Sequence, residues 1–180
     1  RVDRMANFGM TDVPREGEEA LKELNLENYQ KYTFNMYGGT ISSNNATNTA
    51  TTANVGCGGG VYISGDSGSA VVNMTGGTIS GNTSANYGGG VYVYSSSTFN
   101  VSGSPVITGN TTSTDTNADN VYLKSLKKVT LTGALSAEAQ IGVTLERTTS
   151  TFTANWNTYM PDVTNYEEYF SSDNSAYGII

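Results

Sequence analysis

Short segments in which apolar and polar residues alternate recur through the middle of the chain, separated by Gly, Asn and Ser. GGGVYI at residues 58–63 returns 30 residues later as GGGVYV at 88–93, and ADNVYL at 118–123 is a degenerate third copy. A second motif, GGTIS, occupies residues 38–42 and 76–80. Alternation is the periodicity of β-strands, and the intervening Gly and Asn are typical of turns. The pattern therefore predicts short strands that repeat with a fixed period.

A fixed period of about 30 residues favours a parallel β-solenoid, in which each coil stacks its strands on those of the coil below. An antiparallel β-sandwich also has short strands and frequent turns, but sandwiches do not repeat their sequence at a fixed period. We therefore expect an all-β chain with about four coils of three strands each. Alternation predicts inward columns made of Val61, Val91 and Val121; Ile63, Val93 and Leu123; Met36, Met74, Val101 and Leu131; and Ile41, Ile79 and Ile107.

Charge is distributed unevenly and is negative overall. Residues 1–31 hold twelve of the 25 charged side chains, residues 33–114 hold only Asp66, and residues 115–180 hold the other twelve. A formal net charge of −7 disfavours binding to nucleic acid or to an anionic membrane surface, because both need a basic footprint. No apolar run approaches the ~20 residues of a membrane-spanning helix, so membrane insertion is not expected.

The two charged regions are predicted to cap the solenoid, whose first and last coils expose unpaired strand edges. We expect an N-terminal capping segment over residues 1–32, with a short amphipathic helix at about 14–25, then coils over 33–147 and a C-terminal cap over 148–180. The rings expected to fold over the last coil are Phe152, Trp156, Tyr159, Tyr166, Tyr169 and Phe170. The alternatives are a helix that binds a partner and a carbohydrate platform built from these rings.

The motifs resemble the right-handed parallel β-helix repeats of large secreted or surface-attached bacterial proteins, especially those of gut anaerobes. The resemblance is carried by GGTISGNT at residues 76–83, GGGVYV at 88–93 and the Phe-Asn-Val strand at 99–101, and it covers roughly residues 33–177. It implies a right-handed parallel β-helix with an extracellular or cell-surface location. It also implies a stalk or adhesive role, with host or dietary glycans or a surface protein as partners.

Residues suited to catalysis or metal binding are scarce. The sequence has no His and one Cys, which removes the commonest general base and excludes a multi-thiolate zinc site. Enzymes that cleave glycans on this fold need paired acid and base groups or bound calcium, and the middle coils offer only Asp66. We therefore expect no enzyme activity, no cofactor and no metal. The alternative is a carbohydrate-active β-helix whose catalytic carboxylates lie towards the C-terminal end, at Glu138, Glu146 or Asp162.

Two smaller features are interpreted as structural. Asp115 and Asp119 are expected to be solvated turn carboxylates, because both lie in a turn rich in Thr and Asn. The stretch 115–120 has oxygen ligands at alternate positions, as a calcium loop does, but it lacks the glycine and the bidentate Glu of such a loop, which disfavours a calcium site. Cys57 has no base nearby in the sequence and is expected to be an inert thiol at a corner of the solenoid.

One outward column is a candidate binding surface. Tyr62, Tyr92 and Tyr122 recur at 30-residue spacing between inward aliphatic residues, so alternation points the three rings outward and stacks them. Such a stack stabilises a solenoid by about 0.5–1.5 kcal/mol per ring pair, and an exposed stack also offers an apolar strip to a sugar ring. These three tyrosines are the candidate glycan-binding residues. An ice-binding face of Thr and Ser ranks is a third interpretation, which the break in the rank at Val106 disfavours.

Removal of residues 1–28 tests the expected N-terminal cap. The truncated chain should associate edge to edge, because an uncovered strand edge pairs readily with another chain. Light scattering on the intact and truncated chains should then show a higher mass for the truncated one. A truncated chain that stays monomeric with an unchanged thermal midpoint would contradict the cap.

Overall fold

The chain folds into an all-β unit, which the computed structural model describes over residues 31–50, 54–65, 69–113, 117–147 and 151–179. These ranges belong to one compact unit, Lys31–Ile180. The predicted helix at 14–25 lies outside the described residues, and so do Asp66 and Asp115. The N-terminal cap therefore stays a prediction.

Short strands dominate the described part of the chain, as the alternation predicts. They are β1 (Lys31–Met36), β2 (Thr40–Ser42), β3 (Asn45–Ala46), β4 (Val61–Ile63), β5 (Ser69–Ser80), β6 (Thr83–Ser84), β7 (Val91–Val93), β8 (Ser97–Ile107), β9 (Thr111–Thr112), β10 (Val121–Leu123), β11 (Val129–Leu135), β12 (Gln140–Leu145), β13 (Thr153–Ala154) and β14 (Phe170–Ser172). Helix α1 (Trp156–Tyr159) and a 3₁₀ helix (Tyr166–Glu168) are each about one turn long. Within the described ranges, no helix is long and apolar enough to cross a bilayer.

The strands pair in parallel with their equivalents in the next repeat and form a curled sheet with a smaller sheet beside it. The larger sheet has 11 strands, and its main path runs β1-β5-β8-β12-β10-β7-β4. The smaller sheet contains β3, β6 and β9 in that order. Strand pairing between sequence repeats, instead of between neighbours in the chain, is what the fixed period predicts.

Register in both sheets follows the sequence repeat. Val61 pairs with Val91, and Val91 pairs with Val121, so the three copies of the GGGVYI motif lie on one another. Strand β2 pairs with residues 78–80 of β5, which superposes the two GGTIS motifs. β5 and β8 are longer than predicted, because each runs through two of the predicted segments with only an irregularity between Met74 and Gly76.

The predicted aliphatic columns form the core. Met74, Val101 and Leu131 are at most 1% exposed, and so are Ile79 and Ile107. Their counterparts in the first coil are less uniformly covered: Met36 is buried, whereas Ile41 and Val61 are half-buried. Removal of these side chains from water is the main favourable contribution to folding. A narrow core of this kind explains how a chain with 37% hydrophobic residues can be ordered.

A chain of hydrogen-bonded side chains runs along one corner of the coils. Asn44 donates through its backbone N–H and its Nδ2 to Oδ1 of Asn82, at 3.1 and 2.9 Å. Asn82 donates in the same way to Asn110, at 3.1 and 2.9 Å, and Asn110 to Asn120, at 2.9 and 3.0 Å. Asn120 donates to the two carboxylate oxygens of Asp173, both at 2.6 Å. We call these five residues the amide ladder.

The inner members of the amide ladder also satisfy buried backbone carbonyls. Asn82 and Asn110 are each 0% exposed. Nδ2 of Asn110 lies 2.8 Å from the carbonyl oxygen of Ile79 and 3.2 Å from that of Thr108. A buried carbonyl left without a donor costs about 1–3 kcal/mol. The ladder therefore fixes the position of successive corners and removes the cost of burying their backbone.

The residue before each of the first three ladder asparagines has a left-handed backbone. Its φ is 58° at Ser43, 63° at Gly81 and 67° at Gly109. No atom lies within 4 Å of the position that a Cβ would take at Gly81 or Gly109. Glycine is therefore favoured there by backbone conformation and not by lack of space, since other residues lose about 1–2 kcal/mol in this region.

The final coil lacks one side. β9 is the last strand of the smaller sheet. β12 pairs with both β8 and β10, so it runs directly from the stack of strands that contains β8 to the stack that contains β10. The amide ladder follows the same short path: Asn120 lies only 10 residues after Asn110, whereas Asn82 and Asn110 are 28 residues apart. Asp173 then follows β14, which pairs with β12.

Aromatic side chains cover the C-terminal end of the core. Phe152, Trp156 and Phe170 are buried within it. Trp156 stacks on Tyr166 with 4.3 Å between ring centroids, and its Nε1 donates to the carbonyl oxygen of Val163 at 3.0 Å. Tyr159 is the exception, with 38% of its surface exposed. Three of the six predicted rings are thus core residues and Tyr166 and Tyr169 pack against the core, so the rings do not form an exposed carbohydrate platform.

Substitution of a buried ladder residue should cost far more stability than substitution of a surface amide. Asn110→Ala should lower the free energy of unfolding by about 2–5 kcal/mol, because it leaves buried N–H and carbonyl groups without partners. Asn100→Ala is the matched control: its Nδ2 donates to Oδ1 of Asn73 at 2.7 Å on a half-exposed face, where water can replace it. Urea unfolding should give a loss of about 1 kcal/mol or less for the control. Equal losses would contradict a stabilising ladder.

Candidate functional site

The three predicted tyrosines stack in register on the face of their strands that points away from the core. Tyr62 pairs with Tyr92, and Tyr92 pairs with Tyr122. Both ring pairs have centroids 5.5 Å apart, with interplanar angles of 15° and 27°. Tyr92 and Tyr122 belong to a small cluster separate from the main core. The predicted direction and stacking of these rings are therefore confirmed.

The expectation that this stack forms an exposed strip is wrong. Tyr62 is 40% exposed, but Tyr122 is 7% exposed and Tyr92 is 0% exposed. Two further rings cover them: Tyr87 lies 4.7 Å from Tyr122, and Tyr94 lies 6.0 Å from Tyr92, centroid to centroid. We call these five rings the tyrosine cluster. Its inner rings stabilise the face, and only its outer rings meet solvent.

Burial keeps the inner polar groups of the cluster neutral. It raises the pKa of the Tyr92 and Tyr122 phenols well above the ordinary value, and the Tyr92 hydroxyl donates to Oδ1 of Asn54 at 2.9 Å. Burial also raises the pKa of the Cys57 thiol, which lies 3.6 Å from the carbonyl oxygen of Val55. A thiol with a raised pKa is a poor nucleophile, because the thiolate is the reactive form. This agrees with the prediction that Cys57 is inert.

A cleft opens beside the tyrosine cluster, where the final coil lacks one side. Its volume is about 470 Å³. The rings of Tyr87 and Tyr122 border it, and Tyr87 is 46% exposed. The other lining residues are mostly amides, hydroxyls and carboxylates: Ala85, Asn86, Thr112, Asn117, Ala118, Asp119, Thr144, Asp173, Asn174 and Ser175.

Two carboxylates line this cleft, and the protein holds both in place. Oδ2 of Asp119 accepts from the backbone N–H of Gly88 at 2.8 Å, and the side chain is 5% exposed. Asp173 accepts from Asn120 and also from the hydroxyl of Thr144 at 3.1 Å. The expectation that Asp119 is a solvated turn carboxylate is therefore wrong, because the residue is buried and its carboxylate accepts a backbone hydrogen bond from Gly88.

The calcium-loop interpretation gains no support from this geometry. Asn120, which would be a ligand, is a buried member of the amide ladder. Within the described ranges, no group of three or more His, Cys, Asp or Glu side chains is placed to hold a metal ion.

The catalytic carboxylates of the alternative function do not line the cleft. Glu146 contacts Nζ of Lys124 and accepts from the backbone N–H of Ser125 at 2.7 Å, and the bond from Lys124 lowers its pKa. The nearby hydroxyl of Ser136 lowers the pKa of the exposed Glu138 carboxyl. Asp162 is exposed. Glu146 takes part in surface interactions, and none of these three carboxylates lines the cleft.

Sequence reasoning missed Tyr87 and Asp173, because neither belongs to a repeated position. Tyr87 precedes the second Gly-Gly-Gly motif, where Cys57 and Asn117 precede the first and third copies. The similarity between the copies therefore does not single out Tyr87. Asp173 lies 53 residues from Asn120 and reaches it only through the shortened final coil.

Replacement of Asp173 by Asn should change how stability depends on pH. Burial raises the folded-state pKa of Asp173 above the unfolded value of about 3.9. Its ionisation therefore favours the unfolded state: stability is greatest below the unfolded pKa and falls as pH rises through the folded pKa. Unfolding free energies of both chains from about pH 3 to pH 7 should show that D173N lacks this fall. A difference between the two chains that does not change with pH would contradict the prediction.

Comparison of the chain with family models, with curated proteins and with solved structures found no match. The resemblance to bacterial β-helix repeat regions therefore rests on the repeated motifs of the chain. Its function has to be inferred from the tyrosine cluster and the adjoining cleft.

Proposed function

We propose that the chain is a non-catalytic, extracellular module of a bacterial surface or secreted protein, with a stalk or adhesive role and a glycan-binding cleft. Its fold in this proposal is a right-handed parallel β-helix of about four coils. The in-register stacking of its repeats supports the fold, and the resemblance of its motifs supports the location.

The cleft beside Tyr87 is the observation that carries glycan binding. A sugar ring has an apolar C–H face and a rim of hydroxyls, so it needs a flat aromatic surface next to hydrogen-bonding groups. The half-exposed ring of Tyr87 supplies the first, and Asn86, Asn117 and Thr144 supply amides and a hydroxyl around the same cavity. A cavity of about 470 Å³ is within the range of small-molecule sites.

The position of the predicted binding surface changes in this proposal. Tyr62 is 40% exposed, whereas the rings of Tyr92 and Tyr122 are buried and stabilise the cluster. Their substitution would unfold this face and say little about binding. Tyr87 replaces them as the residue on which glycan binding depends.

A carbohydrate-active enzyme is the second candidate, and one observation favours it. Asp119 and Asp173 line the same cleft, and a raised pKa, as at Asp173, is what a general acid needs. Both oxygens of Asp173 accept from Asn120, however, and this commits the carboxylate to the amide ladder. The non-catalytic role is therefore the better supported.

Tyr87→Ser tests the proposed function on a glycan array. The variant should lose binding by about tenfold or more while its circular dichroism is unchanged, since Tyr87 is an outer ring of the cluster. Tyr37→Ser is the matched control, because Tyr37 is 77% exposed and does not line the cleft. Binding by Tyr87→Ser equal to that of the wild type would contradict the proposal. Release of reducing ends from any bound glycan would favour the enzyme.

A further inference from the structure

A second cavity adjoins the cleft at the end of β12. Its volume is about 350 Å³, and Thr144 and Asn174 line both this cavity and the cleft. Its other side chains are mostly hydrocarbon, and none of the described residues that line it carries a charge. We call it the apolar pocket, and its apolar lining residues are Val143, Leu145, Phe152, Ala176, Tyr177 and Ile179.

Alternation along β12 gives the two cavities different chemistry. Thr144 pairs with Tyr122 and therefore faces away from the core, as that ring does. Leu145 pairs with Leu123 and continues a column of the core. Leu123 is 0% exposed, whereas Leu145 is half-buried, and the pairing of β14 with β12 ends at Val143. The apolar pocket is therefore a place where a column of the core meets solvent.

The C-terminal residues form another wall of the apolar pocket. Ile179 is half-buried and packs against the core, while Tyr177 is 53% exposed. Covering apolar surface that is in contact with water is favourable, and each methylene group enclosed in this way strengthens binding by about three- to fourfold. The apolar pocket therefore suits a hydrocarbon group of a ligand.

The two shared residues indicate which molecule would bring such a group. A ligand that fills the cleft as far as Thr144 and Asn174 has the apolar pocket directly beside it. A cavity of about 350 Å³ lies at the lower end of the range for small-molecule sites, so it suits one short chain or ring. Contacts made by two parts of one molecule add affinity without a second loss of translational and rotational freedom.

We infer that the site binds glycans that carry a short apolar substituent, with the sugar in the cleft and the substituent in the apolar pocket. The inference rests on the proposed glycan-binding function and adds the class of ligand. Tyr87 lines only the cleft, where it contacts the sugar, whereas Tyr177 lines only the apolar pocket. The two contributions to binding can therefore be removed separately.

Calorimetric titration with matched glycosides tests this inference. The probes are the methyl and butyl β-glycosides of glucose, of galactose and of N-acetylglucosamine. Within each pair the sugar is the same and only the length of the alkyl chain differs. For at least one sugar, the butyl glycoside should bind about tenfold more tightly than the methyl one, because the apolar pocket encloses the added methylene groups. A methyl glycoside that binds too weakly to titrate gives a lower limit for this ratio.

Two tyrosine variants locate the two parts of the ligand. Tyr177→Ser should lower the ratio of the methyl to the butyl dissociation constant from about tenfold to about threefold or less, because it removes apolar surface from the apolar pocket alone. Tyr87→Ser should weaken both glycosides of a pair and leave their ratio unchanged. Tyr37→Ser is the matched control, because Tyr37 is 77% exposed and lines neither cavity. Loss of folded protein would change the measured number of sites and not the ratio.

The outcomes separate the inference from the proposed function. Equal affinity for the methyl and butyl glycosides of every sugar, or no binding of any of these glycosides, would overturn the apolar pocket as a ligand site. The glycan array would then still decide the proposed function by itself. A ratio that Tyr177→Ser leaves unchanged, or that Tyr37→Ser lowers equally, would also overturn the inference, since the butyl chain would then bind elsewhere on the chain.

Discussion

Hydrogen bonds between buried amides hold the corners of this protein in line. Several of its strands are only two or three residues long, so the backbone alone makes few bonds per coil. The amide ladder adds two donors per step. All of its hydrogen bonds are donated in the same direction, from Asn44 through Asn82 and Asn110 to Asn120. Such a chain needs an acceptor at its end, and a group that only accepts ends it without needing a further partner. The carboxylate of Asp173 meets this requirement, because it brings no N–H of its own that would need a further partner.

The candidate site depends on the same corner. Asn120 follows Asn110 within the same coil, and the smaller sheet ends at β9. The cleft opens where this sheet ends. Asp173, the final residue of the amide ladder, forms part of the wall of the cleft. Tyr87 borders the cleft, and its ring packs against Tyr122. The residue that ends the amide ladder is therefore also part of the wall of the cleft.

The sequence predicts mainly what its repeats share. Alternation and a 30-residue spacing place Tyr62, Tyr92 and Tyr122 in one outward stack, which the registers confirm. Exposure depends on neighbours that do not repeat, and so the covering of Tyr92 by Tyr87 and Tyr94 could not be read from the period. Asp119 and Asp173 line the same cleft where the last coil is shortened, and the repeats do not predict this shortening. The dipeptide Gly-Asn at 81–82 and 109–110 was the one visible signal of the ladder.

Because the cleft lies at the shortened final coil, the length of the stack does not determine the number of clefts. Duplication of an inner repeat would lengthen the stack by about 4.8 Å for each added coil, because the new strands enter between existing ones. It would create no additional cleft, because the cleft forms only where the smaller sheet ends after its last strand. Under the proposed function, descendants of different length would each keep one binding site, and the number of sites on a surface would depend on how many chains it displays.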